Sequence, residues 1–221
     1  MTLLPVTILV VAKAPVPGLA KTRLASTLGP EKAADIAAAA LLDTLDAVAA
    51  APVSARVVAM TGDLDAARRS GEIRARLADF VVIAQRGDDF ADRLANAHAD
   101  AATAAGPHPV LQIGMDTPQV TADLMTRTAE ALLTSPAVLG MAGDGGWWVL
   151  GVHSPIDADV LRAVPMSTPD TGAVTLHALR DTGLDVTLVE ELRDVDTVED
   201  IAAVRDASRA DSRFAVATRG V

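Results

Sequence analysis

Short continuous apolar runs alternate along the chain with longer stretches in which apolar residues recur at helical spacing. The runs at 6–12, 55–60, 80–84, 109–114, 137–142, 147–152 and 185–190 predict strands. Helices are predicted near 30–50, 63–78, 91–105, 121–135, 172–182 and 197–208. Pro30 after Gly29 suits the first turn of the first long helix. Thr121 and Thr197 suit N-caps, with Asp123, and Glu199 with Asp200, at the positive ends that follow. The runs lack polar alternation, as burial on both faces requires, so the pattern predicts an α/β fold: a mostly parallel sheet between helical layers. One segment breaks the rhythm. The runs 137–142 and 147–152 are separated only by Gly143-Asp144-Gly145-Gly146, too short for a helix, which predicts a tight connection or antiparallel excursion.

Composition sharpens this picture. The chain has 221 residues, half of them hydrophobic, but only 2% aromatic, so Val, Ile, Leu and Ala must build the core. One domain is expected over 1–208, followed by a polar, patternless tail at 209–221 that should fray. The formal net charge of −10 disfavours nucleic acid and anionic lipid as partners. There is no cysteine, which excludes disulfides and thiolate metal sites. The first apolar run is short, interrupted near its start by Pro5 and preceded by no basic residue. It reads as neither signal peptide nor membrane span and implies a cytoplasmic location.

In such a sheet, ligands bind beyond the carboxyl ends of the strands. Against the acidic background, VTILVVAKAPVPGLAKTRLAS (6–26) runs from a strand into a stiff loop with Lys13, Lys21 and Arg23. Those cations suit phosphate, and Gly18 permits close backbone approach; the alternative is a solvated loop. In IGMDTPQVT (113–121), Asp116 directly follows a strand and can hold a hard divalent cation, or can merely close a turn. In GDGGWWVLGV (143–152), glycines surround Asp144, and Trp147 and Trp148 face opposite sides of a strand. One tryptophan can line a pocket, or both can pack under helices. In RDVDTVED (193–200), Asp194 and Asp196 share a face if extended; one can join Asp116 at a metal, or the cluster can serve the helix that follows. QRGDDFADRLANA (85–97) places Arg93 to reach a ligand or to pair with Asp89, and the pairing is the favoured reading. His98, His108, His153 and His177 match no metal-ligand spacing. The absence of GxxxxGK[ST], and of GxGxxG after the first strand, argues against a P-loop NTPase and a dinucleotide dehydrogenase.

In this order, AKAPVPGLAKTRL, QRGDDFADRL, GMDTP, DGGWWVLGV and DVDTVEDI resemble a bacterial glycosyltransferase-like family of unknown function with the glycosyltransferase-A fold. Its relatives include the phospholactate and phosphoenolpyruvate guanylyltransferases and, more distantly, the molybdenum-cofactor and sugar nucleotidyltransferases. The resemblance spans about residues 6–204. It implies a three-layer α/β/α sandwich and a transferase that uses Mg²⁺ or Mn²⁺, a nucleotide sugar or nucleoside triphosphate, and a small-molecule acceptor. Lys13, Gly18, Lys21, Thr22, Arg23, Gln85 and Arg93 would bind the nucleotide and its phosphates. Asp116 and Asp196 would hold the metal. Asp116, Asp144 and Lys21 would form the catalytic set. Gly145, Gly146, Trp147 and Trp148 would shape the acceptor side. Trp147 and Trp148 stand where tyrosines are common in this family, Ala91 where Gly is expected, and Thr117 where Cys or Ser is frequent. The resemblance leads first to glycosyl transfer from a nucleotide sugar. The alternative is nucleotidyl transfer to a small anionic acceptor with release of pyrophosphate, which three loop cations suit. A third reading is a non-catalytic nucleotide- or sugar-binding protein. Base, sugar, acceptor, stereochemical course and oligomeric state are left open.

Overall fold

A computed structural model describes residues 2–221. All seven predicted strands form: β1 (Leu4–Lys13), β2 (Val53–Thr61), β3 (Val81–Ala84), β4 (Val110–Ile113), β5 (Ala137–Ala142), β6 (Trp147–Val152) and β7 (Val186–Leu192). They make one sheet in the order β3-β2-β1-β4-β6-β5-β7. β6 runs antiparallel to β4 and β5, and every other pairing is parallel. The excursion expected at 137–152 is therefore the β5–β6 hairpin. From β1 the chain builds outward to β3 and then returns to β4 on the other flank. This creates a switch point between β1 and β4, where a crevice opens at the strand ends.

The helices are α1 (Thr22–Leu28), α2 (Pro30–Ala50), α3 (Ser70–Leu77), α4 (Phe90–Ala105), α5 (Ala122–Thr134), α6 (Thr171–Asp181), α7 (Val198–Ala207) and α8 (Arg213–Ala217). A 3₁₀ segment at Pro155–Ala163 follows β6. One face of the sheet buries Ile8, Val10, Val58 and Ile113 under α2, α3 and α5. The other buries Leu9, Val57, Leu139 and Leu150 under α4, the 3₁₀ segment and α6. Alternate residues of β1 thus enter opposite cores, the reason its run is apolar without a break.

Three expectations are corrected. The helix expected over 63–78 is only Ser70–Leu77. Asp63 Oδ1 accepts the Asp65 N–H at 2.8 Å in a local turn, and Arg69 has a left-handed backbone (φ 52°), so no helix can run through. The tail does not fray. Ser212 caps α8, the backbone N–H of Phe214 donates to Asp43 Oδ2 at 2.8 Å, and the Phe214 ring is fully buried. Finally, α1 and the 3₁₀ segment form where no element was expected.

The tail belongs to a third apolar cluster: Leu24 of α1, Ile36 and Ala40 of α2, Val195, Ile201 and Val204 of α7, and Phe214. This cluster positions the site. It fastens the start of α1, which follows the cationic loop, to the segment between β7 and α7 that carries Asp194 and Asp196.

Candidate active site

A cleft of about 600 Å³ opens at the carboxyl ends of β1 and β4. Lys13, Lys21, Arg23, Gln85, Arg93, Asp116, Asp144, Gly146, Trp147, Trp148, Asp194 and Asp196 line it. The sequence motifs, scattered over more than 180 positions, therefore meet at one place.

The polar centre is an ion pair. Lys21 Nζ lies 2.8 Å from Asp116 Oδ2, with 11% of the lysine side chain and 34% of the aspartate exposed. Lys21 precedes α1 with a left-handed backbone (φ 48°, ψ 53°), a strained conformation for a residue with a side chain. Burial favours the neutral amine. The Asp116 carboxylate, by charge and hydrogen bond, together with Asp196 and Asp194, outweighs burial and holds the lysine above its ordinary value. Arg23, two residues along, is paired with Asp196. The backbone N–H of Val195 donates to the Asp116 carbonyl at 3.2 Å, which ties the end of β4 to the acidic segment. Asp200 accepts from the Thr197 N–H and hydroxyl at 2.8 and 2.9 Å. Despite burial, those hydrogen bonds and the nearby Arg193 lower its pKa. Helix capping thus falls to Thr197 and Asp200, leaving Asp194 and Asp196 directed to the cleft.

Burial, and after it the Asp144 carboxylate, push Asp194 up to about 6 against the pull of Lys21; Asp116 and Asp196 add to the rise. The folded state therefore holds this proton more tightly than the unfolded chain, whose carboxyl has the ordinary value of 3.8. Stability contributed here falls as pH rises from about 4 to about 6 and stays low above that. Asp194→Asn is accordingly expected to melt at a higher temperature than the parent at pH 7.5 in chelator, with the gain vanishing by pH 4. Melting curves across that range check it; an equal gain at both ends would contradict the burial of the charge.

Asp116 Oδ1 is buried and has no hydrogen-bond partner. An unpaired buried carboxylate oxygen is costly, and a hard cation is the kind of ligand that would satisfy it. Among the described residues, no group of three or more His, Cys, Asp or Glu is placed to hold a metal ion. Asp116 and Asp196, the two carboxylates the motifs assign to a metal, both line the cleft, each beside a cation.

The other end of the cleft is built by the β5–β6 hairpin. Asp144 Oδ1 accepts the Gly146 N–H at 2.8 Å, closing the turn and fixing the carboxylate. The two tryptophans divide as strand alternation requires. Trp148 is buried in the α2–α5 core and its indole N–H donates to the Glu190 carbonyl at 2.8 Å. Trp147 is half-buried against the opposite core, with part of its surface in the cleft.

Several expected site residues lie elsewhere. Gly18 and Thr22 are exposed and do not line the cleft. Gly145 faces protein: at φ 90°, a Cβ would run into the Pro169 carbonyl, and the Gly172 N–H donates to the Gly145 carbonyl at 2.8 Å. Gly145→Ala combines left-handed strain with overpacking, and is expected to cost about 2–4 kcal/mol. Thermal denaturation checks this, and a loss under about 0.5 kcal/mol would show that the hairpin and α6 separate freely. The Gln85 amide donates to the Ala12 and Ala59 carbonyls at 2.8 and 2.9 Å, stitching β1 to β2 beside the cleft. Lys13 Nζ donates to the Leu19 carbonyl at 2.7 Å. The favoured Arg93–Asp89 pairing does not form. Asp89 caps α4 by accepting the Asp92 N–H, while the Arg93 guanidinium lies 5.9 Å from the centre of the Phe90 ring. The connection from β3 to α4 turns at Gly87 (φ 137°), and Ala91, where Gly was expected, is buried in the first turn of α4.

The sequence reading missed one wall altogether. Met166, Ser167, Thr168, Pro169 and Thr171 line the cleft beside the β5–β6 hairpin. The Thr171 hydroxyl donates to the Pro165 carbonyl at 2.8 Å and accepts the Thr168 N–H at 3.1 Å, and Ser167 is left-handed (φ 60°). The signal was the Pro-Met-Ser-Thr-Pro run before a helix, a turn pattern with no apolar period. His98 is fully buried and uncharged at neutral pH, since burial pushes it down to about 4.

With this geometry in place, comparison with known proteins identifies the lineage. Residues 44–168, more than half of the chain, match the family described as "Uncharacterized protein conserved in bacteria (DUF2064)". The chain belongs to this family. No curated protein matches it. Among solved structures it is similar to a "putative nucleotide-diphospho-sugar transferase" from Desulfovibrio desulfuricans G20. That protein is 26% identical over 98% of this chain and 94% of the other, with a TM-score of 0.82. A nucleotidyl transferase from Methanothermobacter shares the fold at 21% identity, 91% and 96% coverage and a TM-score of 0.57. Rv0371c of Mycobacterium tuberculosis, solved in complex with manganese, does so at 18% identity, 90% and 97% coverage and a TM-score of 0.54. The fold is thus that of nucleotide-diphospho-sugar transferases, as the motifs implied. Among the described residues no helix is long and apolar enough to cross a membrane.

Proposed function

We propose that this DUF2064 protein is a metal-dependent transferase acting on a nucleotide donor, with a nucleotide sugar as donor and a small molecule as acceptor. The observation that carries the reading is the composition of the cleft at the ends of β1 and β4. Asp116 with its orphaned oxygen stands beside the cations of the first loop, and Asp144 with Trp147 stands across from them. The similarity to the Desulfovibrio protein supports a nucleotide-sugar donor.

Asp116 and Asp196 would hold Mg²⁺ or Mn²⁺, which when bound neutralises phosphate charge and stabilises a departing diphosphate. Lys21, Arg23 and Lys13 would bind the phosphates, Lys21 and Arg23 with donors that now face carboxylates. Trp147 offers a flat apolar surface to a sugar or acceptor ring. Asp144, held by its own turn, is the candidate base for the proton of an acceptor hydroxyl. That hydroxyl oxygen would bond to the anomeric carbon as the carbon–oxygen bond to the nucleoside diphosphate breaks.

The three loop cations favour a second reading, nucleotidyl transfer, because they suit a triphosphate. Products separate the two. With Mn²⁺ present, release of nucleoside diphosphate from a nucleotide sugar is expected for glycosyl transfer. Release of pyrophosphate from a triphosphate would replace that reading with nucleotidyl transfer. Ligand-induced thermal stabilisation without either product would point to the binding-only alternative.

A further inference from the structure

Each carboxylate assigned to the metal already holds a cation from the same loop. Lys21 Nζ sits 2.8 Å from Asp116 Oδ2, and Arg23 is paired with Asp196. The two cations are two positions apart, Lys21 at the N-cap of α1 and Arg23 in its first turn, so both move with that helix. Leu24, fully buried in the cluster with Val195, Ile201 and Phe214, clamps that helix against the segment carrying Asp196. The pairing is therefore built into the packing.

We infer that Lys21 and Arg23 are internal counter-ions that exclude a free divalent cation from Asp116 and Asp196, so that the site takes the cation only together with a polyphosphate. A bare divalent ion at the unpaired Asp116 Oδ1 would lie against the ammonium that Oδ2 of the same carboxylate holds, and it can reach Oδ2 only by displacing that group. That ammonium is largely buried, and the carboxylates around it are the ones the ion would claim. Of the carboxylates around it only Asp194 is left to receive the lysine, and two like charges would share one pocket. A polyphosphate removes the obstacle. Its oxygens accept Lys21 and Arg23 as the cation it carries takes Asp116 and Asp196, so two ion pairs are exchanged for others and no charge is stranded. The lysine thereby acts as a specificity-determining residue: it makes the metal–polyphosphate complex, and neither component alone, the species that is recognised.

This rests on the metal and nucleotide reading above, and the test separates the two. The probes are MnCl₂ alone and an equimolar mixture of Mn²⁺ with inorganic tripolyphosphate, which avoids choosing a base. Free Mn²⁺ is read by its paramagnetic resonance signal as protein is added. Lys21→Met is expected to bind Mn²⁺ alone about tenfold or more tightly than the parent, and Mn²⁺–tripolyphosphate more weakly. Arg23→Gln, at an exposed position that tolerates change, should shift both affinities in the same directions by less. Lys21→Arg, which keeps the charge, should leave Mn²⁺ binding at the parent's level. Asp116→Asn should abolish the gain in the Lys21→Met background. If parent, Lys21→Met and Arg23→Gln bind Mn²⁺ alone equally and Asp116→Asn removes that binding, the counter-ion role is overturned and the metal site stands. If no variant shows Asp116-dependent binding with either probe, both fall.

Discussion

Asp116→Asn is expected to lower turnover about a thousandfold while the protein still folds. Asparagine keeps the shape but loses the charge that would hold a divalent cation against donor phosphates, a contribution of several kcal/mol to the barrier. The fold survives for a reason visible in the cleft. Lys21 loses its charged partner, though the asparagine carbonyl can still accept from it, and stripping one member from a fully buried pair costs about 3–5 kcal/mol. Here the Asp116 side chain is one-third exposed, and Asp194 and Asp196 remain as counter-charges, so the loss should be well below that range. Asp116→Ala is the poorer test, since it leaves a void beside a buried ammonium. The measurement is product formation with Mn²⁺ alongside a thermal melt. Full turnover in a folded Asp116→Asn protein would remove the metal from the reaction, and with it the reason for the arrangement of Lys21 and Arg23.

The sheet was legible in the sequence because buried parallel strands are unbroken apolar runs, and each run here ends in a polar or glycine-bearing segment. The hairpin was legible because four residues cannot hold a crossover helix. What escaped was short or stabilised from afar. The seven residues of α1 include only three large or small apolar side chains facing the cluster, and the helix starts from a strained lysine whose pairing partner is 95 positions away. Its helicity comes from Leu24 docking in the third cluster, a tertiary effect that no local window contains. The candidate site was legible as motifs, since charged residues just after apolar runs point to strand ends. Their internal pairing was not. The sequence shows four cations and four aspartates; only the fold shows that Lys21 faces Asp116, Arg23 faces Asp196, and Lys13 and Arg93 face neither. Gly145 is instructive in the same way. The resemblance placed it on the acceptor side, and the space a Cβ would need there is taken by the Pro169 carbonyl.

The tail leads to the second large effect. Phe214→Ala is expected to destabilise the protein by about 3–5 kcal/mol, the range for truncating a fully buried aromatic, and so to lower the melting temperature by roughly 10 °C for a chain of this size. A residue in a frayed tail would cost almost nothing. The consequence reaches the cleft, because Phe214 packs in the cluster that contains Leu24 and Val195. Those two residues stand next to Arg23 on one side and between Asp194 and Asp196 on the other. Loosening the cluster should therefore weaken binding of Mn²⁺–tripolyphosphate at temperatures well below the melt, although Phe214 touches no residue of the cleft floor. Calorimetric unfolding and the same Mn²⁺ titration, carried out on one preparation, check both parts. A large stability loss with unchanged binding would show that the carboxylate segment is held by its own contacts, such as the Val195–Asp116 backbone hydrogen bond, and that the third cluster serves stability alone.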